Sequence, residues 1–442
     1  MNGIDELASF VLELHADETA MNKLRLHVAD TLCAWIAATG TAEGRSLIRF
    51  RRQHGGGDRV ADDIAAHCAV TRLSEIDDIH LASMTTPGSI VVPATMILAA
   101  NLPQVETADI AAAMLAGYEA MIRLGLALNG PEILYRGIWP TYFGSGFATA
   151  AVAARLWRLS QGQAANALAL ALTMASPSVG QHHGATTARW FSVGNSARTG
   201  IIAALAARSG FTGDREILRS RVLPNVYGIE PDIGAMLDDR QPAFFKVSMK
   251  PWCAARQTMA ATQGLREILA TGVHADEISQ ISAYVVPPHL KMIDHGVTPG
   301  DRASYLTSLP YQLTLAALQP AGLAGLSAAA EAPAPSFRAF MARTSIVADE
   351  ALLIDYPDRW PAHLVIETAS GRRELRIDSI PGDPERPFAE DNVKAKFKHF
   401  AAPVLGDSAE EFLQSSLAVF QSAETFTALM GQLGAFMASV TA

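Results

Sequence analysis

The chain is poor in the features that mark several common protein classes. It has three cysteines, Cys33, Cys68 and Cys253, which are far apart, odd in number and without a CxxC pair. Neither a disulfide framework nor a thiolate metal site is indicated, and a reducing cytoplasm fits best. Aromatic residues make up only 7% of the sequence, and alanine is abundant, which favours closely packed helices over a β-rich protein. Positive charge is in deficit: the formal net charge is -9, and no basic face is evident that could neutralise phosphates, which argues against a nucleic-acid binder. Long hydrophobic runs are missing too. The most apolar windows, such as SIVVPATMILAA, fall short of the roughly 20 apolar residues a membrane span needs. The N-terminal MNGIDELASFVLELHADE is acidic where an export signal would be basic. A soluble cytoplasmic protein with no membrane partner is expected. No GxGxxG follows a strand, and GxxxxGK[ST] and GxSxG are absent, so nicotinamide or nucleotide binding has no support. Two classes remain: a cofactor-free enzyme acting on a small anion, or a non-catalytic helical protein.

What is present is organised helix. A chain of 442 residues is long enough for two or three domains at roughly 150 residues each, and two are expected. In ETADIAAAMLAGYEAMIRLGLAL, Thr107 is a candidate N-cap, and Ile110, Met114, Tyr118 and Ile122 recur every four residues on one face. FATAAVAARLWRL, GQAANALALALTMA and ARTGIIAALAARSG repeat the pattern, with Ala and Gly where helices would approach closely. Around Pro251 the texture changes. ISQISAYVV (278–286) and HLVIETASGRRELRID (363–378) read as strands, the latter as a hairpin joined at Ser370-Gly371. Helical signal returns after Pro387. The fold expected is mainly α: a large all-helical bundle domain, discontinuous over residues 1–252 and 393–442, with an inserted smaller α+β domain over 253–392.

Four segments could carry chemistry. In SEIDDIHLASMTTPGS (74–89), Glu75, Asp77, Asp78 and His80 could hold a divalent ion, but their spacing matches no specific ligand pattern and a polar turn is the simpler reading. A histidine beside carboxylates could instead move protons, its pKa raised by neighbouring anions. In GQHHGATTARWFSVGNSARTG (180–200), a Gly-rich loop leads into a helix expected to begin near Asn195. Its N–H groups and Arg189 or Arg198 could bind a carboxylate, against the reading of an ordinary cap with surface arginines. The pair His182-His183 is ambiguous. In FFKVSMKPWCAARQT (244–258), Lys246, Lys250 and Arg256 crowd the expected domain boundary, where a desolvated lysine could act as a base. In RGIWPTYFGSG (136–146), Arg136, Trp139 and Tyr142 surround a turn, and aromatics there are more often packing than chemistry.

Taken in order, these segments resemble the MmgE/PrpD family, which includes 2-methylcitrate dehydratase, cis-aconitate decarboxylase and iminodisuccinate epimerase. EIDDIH followed by TPGSIVVPA is similar to the family's D-[FY]-D-D-T-H run followed by HPG and VVPA. RGIWPTYFGSGFATAAVAARL resembles its G-F-H-x-T-G-x-F-G helix start, and ARWFSVGNSARTG its T-K-x-L-H-x-G-x-A-A segment. MKPWC resembles its lysine-aromatic-proline motif, and SLPY, ending at Tyr311, its [SF]-x-x-Y helix. The resemblance covers nearly the whole chain. It implies a homodimer with a positively charged site between domains that binds small di- or tricarboxylates without metal or organic cofactor. Family reactions begin with removal of a proton next to a carboxylate.

Carried over by position, Glu75 stands where the family has an aspartate, while Lys250 and Tyr311 match it. Thr86 replaces the HPG histidine, Trp139 a second catalytic histidine, Ile79 a threonine and Arg189 a lysine. Arg189 keeps positive charge but is a poor base. With Thr86 and Trp139 in place, the expectation leans to an epimerase or isomerase over a dehydratase or decarboxylase. Lys250 would remove the α-proton, and Tyr311 or His80 would return it. Glu75 would orient Lys250 or the substrate, Arg189 and the Asn195 helix start would hold carboxylates, and Arg256 could add charge to the site with Thr86 and Trp139 as lining. A ligand-binding relative without turnover is the alternative of a different class.

Overall fold

A computed structural model of the chain describes residues 3–54, 59–176, 186–238, 242–326 and 332–440. The His182-His183 pair lies outside these residues. By its internal contacts the chain divides into two units: Met1–Gly180 with Thr187–Met249 and Phe388–Ala442, and Lys250–Pro387 with Gln181–Thr186.

The first unit is helical, and small residues set how closely its helices meet. The Thr107–Ala127 helix packs on the Pro140–Leu156 helix, which in turn packs on the Ala188–Arg208 helix. Between the last two, Gly200 lies directly against the Gly146 carbonyl, and Thr149 donates to the Ala197 carbonyl at 2.7 Å. A side chain at either glycine would force the backbones apart. Ile110, Met114, Tyr118 and Ile122 are all fully buried, so the four-residue spacing read from sequence is the packing face. The cap is Glu106 rather than Thr107, which is the first helical residue. This helix is also the one stretch among the described residues long and apolar enough to cross a membrane, but 94% of its apolar window is buried inside the protein. It carries a buried Glu119–Arg123 ion pair at 2.8 Å. Its hydropathy serves the core.

The C-terminal Glu390–Phe400 helix packs on the Glu18–Thr39 helix. Their contact is polar at one point: the Lys396 ammonium donates to Asp30 and to the Ile76 carbonyl, each at 2.6 Å, out of solvent. Both ends of the chain therefore build the same unit. A short antiparallel pair, β1 (Ile79–His80) with β2 (Val247–Ser248), is its only sheet among the described residues.

The second unit holds a four-stranded sheet. Its strands are β3 (Ile278–Val285), β4 (Thr344–Ala348), β5 (Ala362–Thr368) and β6 (Gly371–Ile377), in the order β4-β3-β5-β6. β5 and β6 form the hairpin read from sequence, closing with Thr368 opposite Gly371. β4, which the sequence reading did not assign, runs parallel to β3 at the edge. The Arg256–Ala270 helix packs on β5 and β6, and Met259, Leu265, Ile281, Leu313, Leu364 and Ile366 share one apolar core.

Candidate functional site

The Arg59–Leu73 helix carries Arg72 in its last turn, and the chain then runs through a buried loop to the Gly88–Ala100 helix. A buried loop must satisfy most of its polar groups internally, and the carboxylates of this one take several of the donors around it. Arg72 Nη1 pairs with Glu75 at 2.8 Å and with Asp77 at 3.1 Å. Burial opposes the guanidinium's charge, but Asp77 and Glu75 outweigh it and hold the Arg72 pKa above its ordinary value. Glu75 sits at φ 59°, a left-handed conformation that costs a non-glycine residue of the order of 1 kcal/mol and is tolerated where its surroundings fix it.

Asp78 is the tie of the loop. Its Oδ2 accepts from His27 Nδ1 at 2.9 Å and from the Tyr118 hydroxyl at 2.8 Å. Its Oδ1 accepts the Gly88 N–H at 2.7 Å, at the start of the next helix. A Cβ on Gly88 would stand 2.6 Å from Asp78 Oδ2, so glycine after Pro87 is required for this approach. Burial and then Asp78 push the Tyr118 phenol well above its usual range. The acidic and imidazole groups of this stretch thus face separate partners rather than one centre.

His80 behaves differently from the expectation. Its Nδ1 accepts the Ser83 N–H at 3.2 Å, which places the proton of the neutral ring on Nε2. Burial first, then Lys246 and Lys23, drive its pKa down to about 3, and Asp78 only partly opposes them. The expected rise beside carboxylates does not occur, because burial and the two lysines outweigh Asp78. His80 is a neutral hydrogen-bond donor at physiological pH. Lys23 donates to the Phe245 carbonyl at 2.6 Å, and burial lowers its pKa to about 8 against the pull of Asp78.

Next to the loop stands a cationic and aromatic wall. The Thr86 N–H donates to Thr141 Oγ1 at 3.0 Å, and the two hydroxyls are 3.1 Å apart. Trp139, the residue before the Pro140–Leu156 helix, lies edge-on to Tyr142 with ring centroids 5.7 Å apart. The Arg189 guanidinium lies 4.9 Å from the Trp139 ring centroid and 5.3 Å from that of Trp190. Arg189, Arg72, Glu75 and Asp77 are the charged groups that act on the Tyr142 hydroxyl. Glu75, Thr86, Trp139 and Arg189 are therefore brought into one neighbourhood, together with Arg72, Thr141 and Tyr142.

Arg189 is 9% exposed, and among the described residues no carboxylate or hydrogen-bond acceptor pairs with it. It lies in the first turn of the Ala188–Arg208 helix, where the helix dipole also favours a negative charge. Asn195 does not share this position. The helix begins seven residues before it, so its N–H lies inside the helix and cannot serve as an anion-binding start. Its side chain is exposed beside a cavity of about 230 Å³ lined also by Phe50, Phe191 and Arg198. There Arg198 is paired with Asp62 at 2.8 Å.

Lys250, Arg256 and Tyr311 belong to the second unit. Lys250 is buried, at 2% exposure. Arg256 Nη2 pairs with Asp383 at 2.6 Å out of solvent, so one face of its guanidinium is committed within the unit. Tyr311 follows the Ser308 cap of the Leu309–Leu318 helix and packs on Tyr305 and Phe337, with centroids 5.0 and 5.3 Å away. Burial and Tyr305 raise its pKa. Sequence reasoning missed Arg72, Thr141 and the tying role of Asp78. The spacing of Arg72 before three acids in TRLSEIDD is the signal that could have found the first.

Fold and site define a mainly helical protein with a buried cation set in its helical unit. Family models for the MmgE/PrpD N-terminal domain and the MmgE/PrpD C-terminal domain match residues 5–222 and 252–420, and the chain belongs to the MmgE/PrpD family, whose members are generally enzymes. A cis-aconitate decarboxylase-like protein, oryM, of Aspergillus oryzae is 30% identical over 152 residues, a match spanning 32% of this chain and 31% of that relative.

Proposed function

We propose that the protein is a cofactor-independent enzyme that removes the proton next to a carboxylate of a small di- or tricarboxylate and returns it as an epimerase or isomerase. The observation that supports this most is Arg189. A buried guanidinium without a carboxylate partner among the described residues is costly unless a ligand anion completes it. A carboxylate can meet the fork in two parallel hydrogen bonds. Removing the α-proton adds one negative charge, spread onto the carboxylate as an enolate, so a fixed cation beside it stabilises the intermediate more than the ground state.

In this mechanism Lys250 as the free amine takes the proton and becomes an ammonium, and Tyr311 gives a proton to the opposite face. His80, neutral with its proton on Nε2, contributes a hydrogen bond rather than an acidic proton. Thr86 and Trp139 supply no group titrating near neutrality, which disfavours expulsion of hydroxide from the substrate. The relative named as a cis-aconitate decarboxylase-like protein favours a second reading, a lyase acting on the same class of acid.

The test is proton NMR in deuterated water with malate, citrate and cis-aconitate. Exchange at the α-carbon without release of water or carbon dioxide supports the epimerase, and release of either supports the lyase. Absence of exchange and release with all three would leave only a ligand-binding role for them. Lys250→Ala is expected to abolish exchange, and undiminished exchange would remove Lys250 from the base role.

A further inference from the structure

We infer that the Tyr142 hydroxyl is a ligand-binding group, donating a hydrogen bond to the same substrate carboxylate that Arg189 clamps. This rests on the functional reading above and adds a residue that the sequence reading left to packing. Tyr142 is 1% exposed, yet its hydroxyl has no hydrogen-bond partner among the described residues. A buried hydroxyl left unpaired is unfavourable, and native interiors rarely keep one without a reason. The ring itself is fixed by its place in the first turn of the Pro140–Leu156 helix and by the Trp139 edge contact.

The charges around it say what the hydroxyl can meet. Arg189 and Arg72 are the cations acting on it, and Glu75 and Asp77 the anions. Arg72 is engaged with both acids, whereas Arg189 is not engaged with any among the described residues. The donors left unspent here among the described residues are thus the Arg189 guanidinium, the Tyr142 hydroxyl and Arg72 Nε, and only Arg189 of the two cations has no acid, so one carboxylate is the smallest ligand that meets it and the hydroxyl together. Burial raises the phenol to about 12, with the two arginines opposing, so the group keeps its proton at neutral pH and can only donate to a carboxylate.

Tyr142→Phe separates the hydroxyl from the ring. Because no described residue bonds that oxygen, the variant is expected to melt at the same temperature as the parent or higher. Calorimetric titration with malate, citrate and cis-aconitate should show about a 10-fold or greater loss of affinity, the usual size for a hydrogen bond to a charged group. Unchanged affinity in the variant would overturn the assignment while leaving the carboxylate reading intact. A clear fall in melting temperature would also overturn it, since the hydroxyl would then be held by the protein. Failure of the parent itself to bind any of the three acids would overturn both readings.

Discussion

The two sides of the candidate site within the helical unit are built on opposite principles. On the loop side every carboxylate has its counterpart: Glu75 and Asp77 share Arg72, and Asp78 takes three donors from three separate elements. On the facing wall, Arg189 rests on two indoles with no acid beside it among the described residues, and the Tyr142 hydroxyl is unpaired. The loop's charges are balanced within the protein, although Arg72 Nε and His80 Nε2 keep no hydrogen bond among the described residues, whereas the wall's cation has no acid among them. Stability should therefore reside mainly in the first and recognition in the second.

That division can be broken from the loop side first. Asp78→Ala strands the His27, Tyr118 and Gly88 donors together, and a loss of about 5 kcal/mol of unfolding free energy is expected, read from urea denaturation. Arg72→Met leaves Glu75 and Asp77 buried without their cation and should cost about 3 kcal/mol or somewhat more by the same measurement. A loss under about 1 kcal/mol in both would show that the loop is not held by these ties.

Acid offers a milder probe. His67 and His80 are pulled by burial to about 4 and about 3, below the 6.5 of the unfolded chain. The unfolded state then binds more protons below pH 6.5, so their contribution is full above that value and is lost as pH falls. Between pH 6.5 and 5 each should remove at most about 2 kcal/mol, and His80→Gln should flatten the dependence. A stability that rises on acidification through this window would contradict the neutral assignment. The smallest effect is expected at Asn195, exposed and away from the helix start. Asn195→Ala should change unfolding free energy by less than about 0.5 kcal/mol and leave carboxylate affinity as it is, and a loss of affinity would restore it to the binding site.

The strands of the second unit were legible because Ile278–Val285 alternates apolar and polar residues up to a proline and Ala362–Thr368 is largely apolar and turns through Ser370 into the alternating Gly371–Ile377. β4 was not, since Thr344–Ala348 is short and largely exposed and gains its pairing from β3 across a long connection. At the site, the residue types of the loop could be read but not their division of labour. Glu75 shows why: a glutamate at positive φ is not signalled by its own chemistry, and its side chain is held by Arg72 at the end of the preceding helix. Asn195 was misplaced because ARWFSVG, already helical from Ala188, carries too few regularly spaced apolar residues to announce the start. The cation that matters most, Arg189, was visible in sequence, but its lack of an acidic partner among the described residues is a property of the folded unit alone.

The measurement that tests the account most directly is calorimetric titration of malate, citrate and cis-aconitate into the parent protein and into Arg189→Met. Binding of at least one of these acids to the parent is expected, with a loss of about 100-fold or more in a variant that melts as the parent does. Equal affinity in the two proteins would contradict it.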